Sequence, residues 1–223
     1  MKKALIIGGS SGLGLALAQQ LKSEYDVIAT GRRLPDIADI NFKQIDLTQS
    51  NTLAAAFDNL LHQTGEIDLL IYAAGFYQGK TIGETDDSSI LEMMYVGTIA
   101  PAMILQRIIK SQARLSNFIA ITSTSQWTPR RIEPIYTASK AGLGMLANSV
   151  AEDEAFGKVM VAGPAGMKTR FWEKEPREES VLNTMLDPTW VAEQIINEYK
   201  DEFSYKFIRI LREPERIELI EKR

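Results

Sequence analysis

Seven short apolar runs, each separated from the next by a segment with helical spacing, constrain this chain more than any other feature. Residues 4–7, 27–30, 42–45, 69–73, 118–122, 159–162 and 207–211 are short, mostly apolar on both faces, and rich in β-branched or aromatic residues. Strands of a parallel sheet covered on both sides read this way. Between them, Leu13, Leu17 and Leu21 recur every four residues, and Leu53, Phe57, Leu60 and Leu61 form a second apolar stripe. Residues 88–110 read as one long helix that Pro101 should kink or locally weaken, and 138–154 as another rich in Ala, Leu and Met. Asp187-Pro188 offers a helix cap followed by proline at the first helical position. This β-α-β-α alternation predicts an α/β fold: a doubly wound parallel sheet with helices on both faces and right-handed connections. With 223 residues, one domain covering 1–223 is expected.

Composition removes several chemistries. The chain has no cysteine, so disulfides, Cys-ligated zinc and a thiol nucleophile are excluded. A lone histidine, His62, leaves no basis for a His-rich metal site, and none is expected. The formal charge of −4 argues against a general nucleic-acid binder. No apolar run approaches the ~20 residues that span a bilayer, and glycine follows the N-terminal apolar run too soon for a signal peptide. The expected setting is cytoplasmic, with no membrane or nucleic-acid partner.

In an open parallel sheet, ligands bind beyond the carboxyl ends of the strands, so the segments after each strand matter most. Ile7-Gly8-Gly9-Ser10-Ser11-Gly12-Leu13-Gly14 follows the first strand and opens the first helix. The glycines alone would fit any tight turn. In this position, turn, close backbone approach and helix N-terminus together suit a pyrophosphate. At the end of the second strand, where an acid would bind a ribose 2′-hydroxyl, the chain has Gly31 followed by Arg32 and Arg33. Paired arginines after a strand also occur as plain solvated surface. The missing acid is what points to NADP(H) over NAD(H). Residues 169–186 lack clear periodicity and contain Phe171 and Trp172, which fits either a surface loop or a lid over the ligand edge.

Tyr136 and Lys140 stand four apart and would share one helix face. An ammonium beside a phenol favours the phenolate, and Ser123, just after the fifth strand, could polarise a carbonyl oxygen. Such a Tyr/Lys pair arises often by chance; the serine and the glycine-rich turn give it weight.

With these residues in hand, the chain resembles the short-chain dehydrogenases/reductases along almost its whole length. The turn from Gly8 to Gly14 is similar to the family's cofactor turn, and Asp46-Leu47 to the pair that contacts adenine. Tyr72-Ala73-Ala74-Gly75 resembles its Asn-Asn-Ala-Gly segment with both asparagines replaced. Ser123, Tyr136 and Lys140 match its serine, tyrosine and lysine. The segment from Pro164 through Met167 to Thr169 is similar to its Pro-Gly segment, with Ala165 in place of glycine. The family's helix asparagine, three residues before a glycine, falls on Met94 when Gly97 is taken as that glycine.

The resemblance implies a Rossmann-type domain and an NADP(H)-dependent oxidoreductase moving a hydride between NADPH and a carbonyl or alcohol substrate. Tyr136 would be the proton donor, Lys140 would lower its pKa and bind the nicotinamide ribose, and Ser123 would hold the substrate oxygen. Ser10, Ser11, Gly12, Leu13, Ala73, Ala74 and Gly75 would join the cofactor contacts, with Met167 and Thr169 on the carboxamide. A homodimer or homotetramer built on the fourth and fifth helices is the implied assembly. Met94 and the altered Tyr72-Ala73 pair motivate an alternative, a non-catalytic NADP(H)-binding redox sensor. A sugar-nucleotide epimerase is a weaker third reading, since 223 residues leave little room for a separate substrate domain. His62, Met93, Met103 and the acidic runs at 152–154 and 173–179 read as surface or core. Tyr77, Trp127 and Trp172 divide evenly between pocket lining and loop packing, and 213–223 reads as a helix end or frayed tail.

Overall fold

A computed structural model describes residues 1–35, 40–173 and 178–223. Eight strands form one sheet in the order β3-β2-β1-β4-β5-β6-β7-β8. They are β1 (Lys2–Ile7), β2 (Tyr25–Gly31), β3 (Asn41–Gln44), β4 (Leu69–Tyr72), β5 (Leu115–Ile121), β6 (Phe156–Pro164), β7 (Tyr205–Leu211) and β8 (Arg216–Lys222). All neighbouring pairs are parallel except β7 with β8. The helices are α1 (Gly12–Leu21), α2 (Ser50–Thr64), α3 (Asp87–Met94), α4 (Ala100–Gln112), α5 (Pro134–Val150), α6 (Glu179–Leu182) and α7 (Pro188–Tyr199).

The period-2 alternation of β1 divides the core between the two faces of the sheet. Ala4 and Ile6 pack with Leu17 of α1 and Val191 and Ile195 of α7. Leu5 and Ile7 pack with Phe57 of α2, Ile104 and Ile108 of α4, and Leu143 of α5. Ile6, Ile7, Leu17 and Phe57 are wholly buried, and each contributes about 1.5–3 kcal/mol of transfer free energy. The strand order reverses between β1 and β4, so a crevice opens at their carboxyl ends.

Several expectations change in detail. The long helix is continuous from Asp87 to Gln112, but Pro101 expresses itself as a π turn over Tyr95–Ile99 instead of a sharp kink. Within those 26 residues an 18-residue window reaches a mean hydropathy of 1.4, so the stretch is after all long and apolar enough to span a bilayer. Val96, Ala100, Ile104, Leu105 and Ile108 nonetheless turn into the core, and Arg107 on the other side pairs with Asp58 of α2 at 3.2 Å. Residues beyond 213, expected as a helix end or frayed tail, supply β8 instead. Ile217 and Leu219 lie opposite Ile210 and Ile208 of β7, and the intervening charges had hidden the strand period. α5 begins at Pro134, four residues earlier than the Ala-rich stretch suggested, which brings Tyr136 into its first turn. At α7, Asp187 accepts from the amides of Thr189 and Trp190 at 2.8 and 3.0 Å, with Pro188 at the first helical position as expected.

Candidate active site

The residues singled out in the sequence line one cleft of about 860 Å³ along the carboxyl ends of β1, β2, β3, β4, β5 and β6. From the turn after β1 come Gly8, Ser10, Ser11, Gly12, Leu13 and Gly14; from β2, Arg32 and Arg33; from β3, Asp46 and Leu47. Ala73, Ala74 and Gly75 follow β4, Ser123 follows β5, Tyr136 and Lys140 project from α5, and Pro164, Met167 and Thr169 follow β6. A void of this size lies in the range typical of small-molecule sites.

The turn after β1 can exist only with glycine at its two crossing points. Gly8 has φ +83°, and a Cβ there would lie 2.8 Å from Cα of Ala74. A Cβ on Gly14 would run into the Gly8 carbonyl. α1 therefore starts hard against the strand that feeds it. The Ser11 side chain makes no capping bond and the first turn of α1 carries no acid, so its leading N–H groups face the cleft as an anion site. Asp46 is locked by accepting from the amide and hydroxyl of Thr48 at 3.0 and 2.9 Å. These features fit a dinucleotide.

Ser123 and Tyr136 line the same cleft, and the nearby serine hydroxyl favours the phenolate form of the tyrosine. Ser123 Oγ also accepts from the Ser125 amide at 3.2 Å, and Ser125 Oγ donates to Glu133 at 2.6 Å. Arg130 Nε lies 3.7 Å from the same carboxylate. Glu133 and Arg130 line the cleft and were not singled out in the sequence. The available signal was an acid just before the Pro134 that opens the helix bearing Tyr136.

Around Tyr136 stands a set of aromatic rings. Tyr77 meets it edge-on at 5.6 Å between centroids, and Phe171 lies at 6.0 Å. Trp172 packs on both Tyr77 and Phe171, at 5.2 and 5.1 Å. Tyr77 and Trp172 thus line the cleft, whereas Trp127 does not. Its ring lies over Gly163, edge-on to Phe207, with the Arg209 guanidinium 4.2 Å from its centroid. The expected lid stretch is anchored at both ends, since Lys168 N donates to Leu186 O and Leu186 N to Gly166 O, each at 3.0 Å. Residues 174–177 of that stretch lie outside the described residues.

From the α3–α4 stretch, Ser89, Glu92 and Val96 line the cleft. One expectation changes: the Tyr136 phenol is raised and not lowered, although Lys140 Nζ lies 5.9 Å from its ring centroid. Burial under the aromatic rings pushes the phenol well above its ordinary value, against the lowering effect of the nearby Ser123 hydroxyl. Lys140 Nζ is instead engaged by the carbonyls of Ile121 and Ala74 at 3.1 and 3.3 Å.

Burial lowers the Lys140 ammonium from 10.5 to about 8. Below pH 8 both folded and unfolded chains hold this proton, and the folded state bears the cost of burying the charge. From about 8 to 10.5 the unfolded chain binds more protons, so this group makes stability rise with pH. Thermal melts of wild type and Lys140→Met should therefore converge in the wild type's favour between pH 8 and 10; parallel pH profiles would contradict this.

A family model described as short chain dehydrogenase matches residues 2–180. The Xenopus laevis protein "Carbonyl reductase family member 4" is 27% identical over 216 residues, covering 87% of this chain and 89% of that one. The Mycobacterium avium "3-oxoacyl-[acyl-carrier-protein] reductase MabA" is 26% identical over 155 residues, 68% of this chain but only 61% of the relative's length. Among solved structures, an alcohol dehydrogenase from Thermococcus sibiricus complexed with 5-hydroxy-NADP superposes with TM-score 0.81 at 19% identity, covering 96% of this chain and 97% of that one. A 4-hydroxyisoleucine dehydrogenase mutant complexed with NADH and succinate gives TM-score 0.81 at 21% identity, covering 94% and 96%. With the fold, the glycine-rich turn and the Ser123, Tyr136 and Lys140 set in one cleft, the chain belongs to the short-chain dehydrogenase/reductase family.

Proposed function

We propose that this chain is an NADP(H)-dependent oxidoreductase interconverting a carbonyl compound and its alcohol, with Ser123, Tyr136 and Lys140 as the reacting set. The observation that carries the reading is the meeting of Ser123, Tyr136 and Lys140 in the one cleft that the glycine-rich turn opens. When bound, the nicotinamide supplies the hydride. Tyr136 gives its phenolic proton to the substrate oxygen. Ser123 donates to the same oxygen as negative charge builds on it, an interaction strongest in the transition state. Lys140, held by two backbone carbonyls, places a cation behind Tyr136 and toward the ribose. Phe171 and Trp172 exclude water from the phenol, and the 169–186 stretch acts as the lid that admits substrate.

Arg32 and Arg33 would take the 2′-phosphate. Gly31 supports this preference by more than the acid it lacks. A Cβ at position 31 would lie 2.7 Å from Cβ of Ser10, so an acid cannot be installed there without displacing the phosphate turn. Arg32→Asp is expected to lower the NADPH/NADH ratio of kcat/KM by about tenfold or more, through one lost charge-assisted contact and one added repulsion. An unchanged ratio would remove Arg32 from the phosphate site. The sensor alternative leans on Met94 and on the altered Tyr72-Ala73 pair, and turnover separates it from the oxidoreductase. The direct test is NADPH oxidation against a broad carbonyl panel. Turnover supports the oxidoreductase, and tight NADPH binding without turnover of any panel member favours the sensor.

A further inference from the structure

Tyr72 stands where the family resemblance would have an asparagine, and its side chain is wholly buried at the end of β4. Its hydroxyl donates to the main-chain carbonyl of Val96, inside the π turn. That carbonyl has been deprived of its helical partners in two ways. The Ala100 amide, which would serve it in an α-helix, donates to Tyr95 O because the turn is one residue wider. In the wider register the donor would come from residue 101, which is proline and has no N–H. A buried carbonyl without a partner is costly, and the Tyr72 hydroxyl meets that need.

The turn so held is the surface on which α5 is seated. Gly97 lies so close to Ser139 that a Cβ on it would come within 2.5 Å of the serine Cβ. Thr98 Oγ1 donates to Ser139 O at 3.1 Å. Ser139 Oγ donates in turn to the carbonyl of Tyr136 at 2.8 Å, and Ser139 directly precedes Lys140. A slip of the π turn to ordinary α register would withdraw Gly97 and Thr98 from the segment bearing both residues.

We propose that Tyr72 is a positioning residue for the reaction. Its hydroxyl replaces the N–H that Pro101 cannot offer, and so holds the π turn in the register that places Tyr136 and Lys140. This rests on the oxidoreductase reading for its kinetic consequence, while the lock itself is a property of the chain. Tyr72, Val96 and Pro101 form one unit, so restoring the missing N–H should make the hydroxyl dispensable.

The test compares Tyr72→Phe, Pro101→Ala and the double variant in the intact chain. Backbone hydrogen–deuterium exchange over 95–100 and 136–144 is read beside kcat and KM with NADPH and a carbonyl substrate. Tyr72→Phe should raise exchange in both segments and lower kcat roughly tenfold with little change in KM, as a misplaced reacting pair does. Pro101→Ala alone should stay near wild type, and the double variant should recover both exchange and kcat. Unchanged exchange in Tyr72→Phe overturns the lock, as does a double variant no better than Tyr72→Phe. If wild type reduces no carbonyl, the oxidoreductase reading fails by that result, and the exchange data still decide the lock.

Discussion

Tyr136→Phe is expected to lower carbonyl reduction by about 10²–10⁴-fold, the usual span for loss of a positioned proton donor, with NADPH affinity nearly unchanged. The substitution removes one hydroxyl and leaves the ring to fill the same space among Tyr77 and Phe171. Melting temperature should therefore hold. What disappears is the group that gives a proton to the substrate oxygen. Fluorescence titration with NADPH and steady-state kinetics on the same preparation separate these effects. Retained turnover would remove Tyr136 from the chemistry.

Gly14→Ala is expected to act on the fold and the cofactor together. The added methyl has no space, because the Gly8 carbonyl occupies it, and only a shift of α1 away from β1 can relieve the clash. Overpacking of this kind costs about 1–3 kcal/mol and at times more. Here it also moves the leading N–H groups of α1 away from the place where a pyrophosphate would lie. Melting should fall by several degrees, and NADPH should no longer protect the variant as it protects wild type. A variant that melts lower yet binds NADPH normally would separate the helix contact from the phosphate site.

Most of the sheet was legible because strands buried on both faces must be apolar at every position, as in β1, β4 and the inner half of β6. β8 was hidden for the opposite reason. It has one neighbour and one exposed edge, so Glu218 and Glu221 interrupt its pattern without harm. The glycine-rich turn and the Tyr136 and Lys140 pair were legible because local geometry demands particular residue types at fixed spacing. The rings around Tyr136 arise from segments far apart in sequence, and the Glu133–Ser125 contact closes an eight-residue loop; no periodicity links either. Trp127 illustrates the same limit. Its place against Arg209 depends on the pairing of β6 with β7.

The two borders of the sheet carry a consequence for how this chain behaves at high concentration. An unpaired strand edge is a template on which another chain can add, and long flat apolar edges lead to aggregation. At one border β3 is only four residues long, and its two end residues, Asn41 and Gln44, are exposed and polar. At the other, β8 shields β7 and exposes Leu219 and Ile220, but Glu218, Glu221 and Lys222 flank them and the ladder is irregular at Phe207 and Ile208. Charges beside an apolar pair act as gatekeepers against cross-strand growth. Length on one side and charge on the other thus work against extension of the sheet at either border, so concentrated solutions of the chain are guarded against strand-by-strand growth.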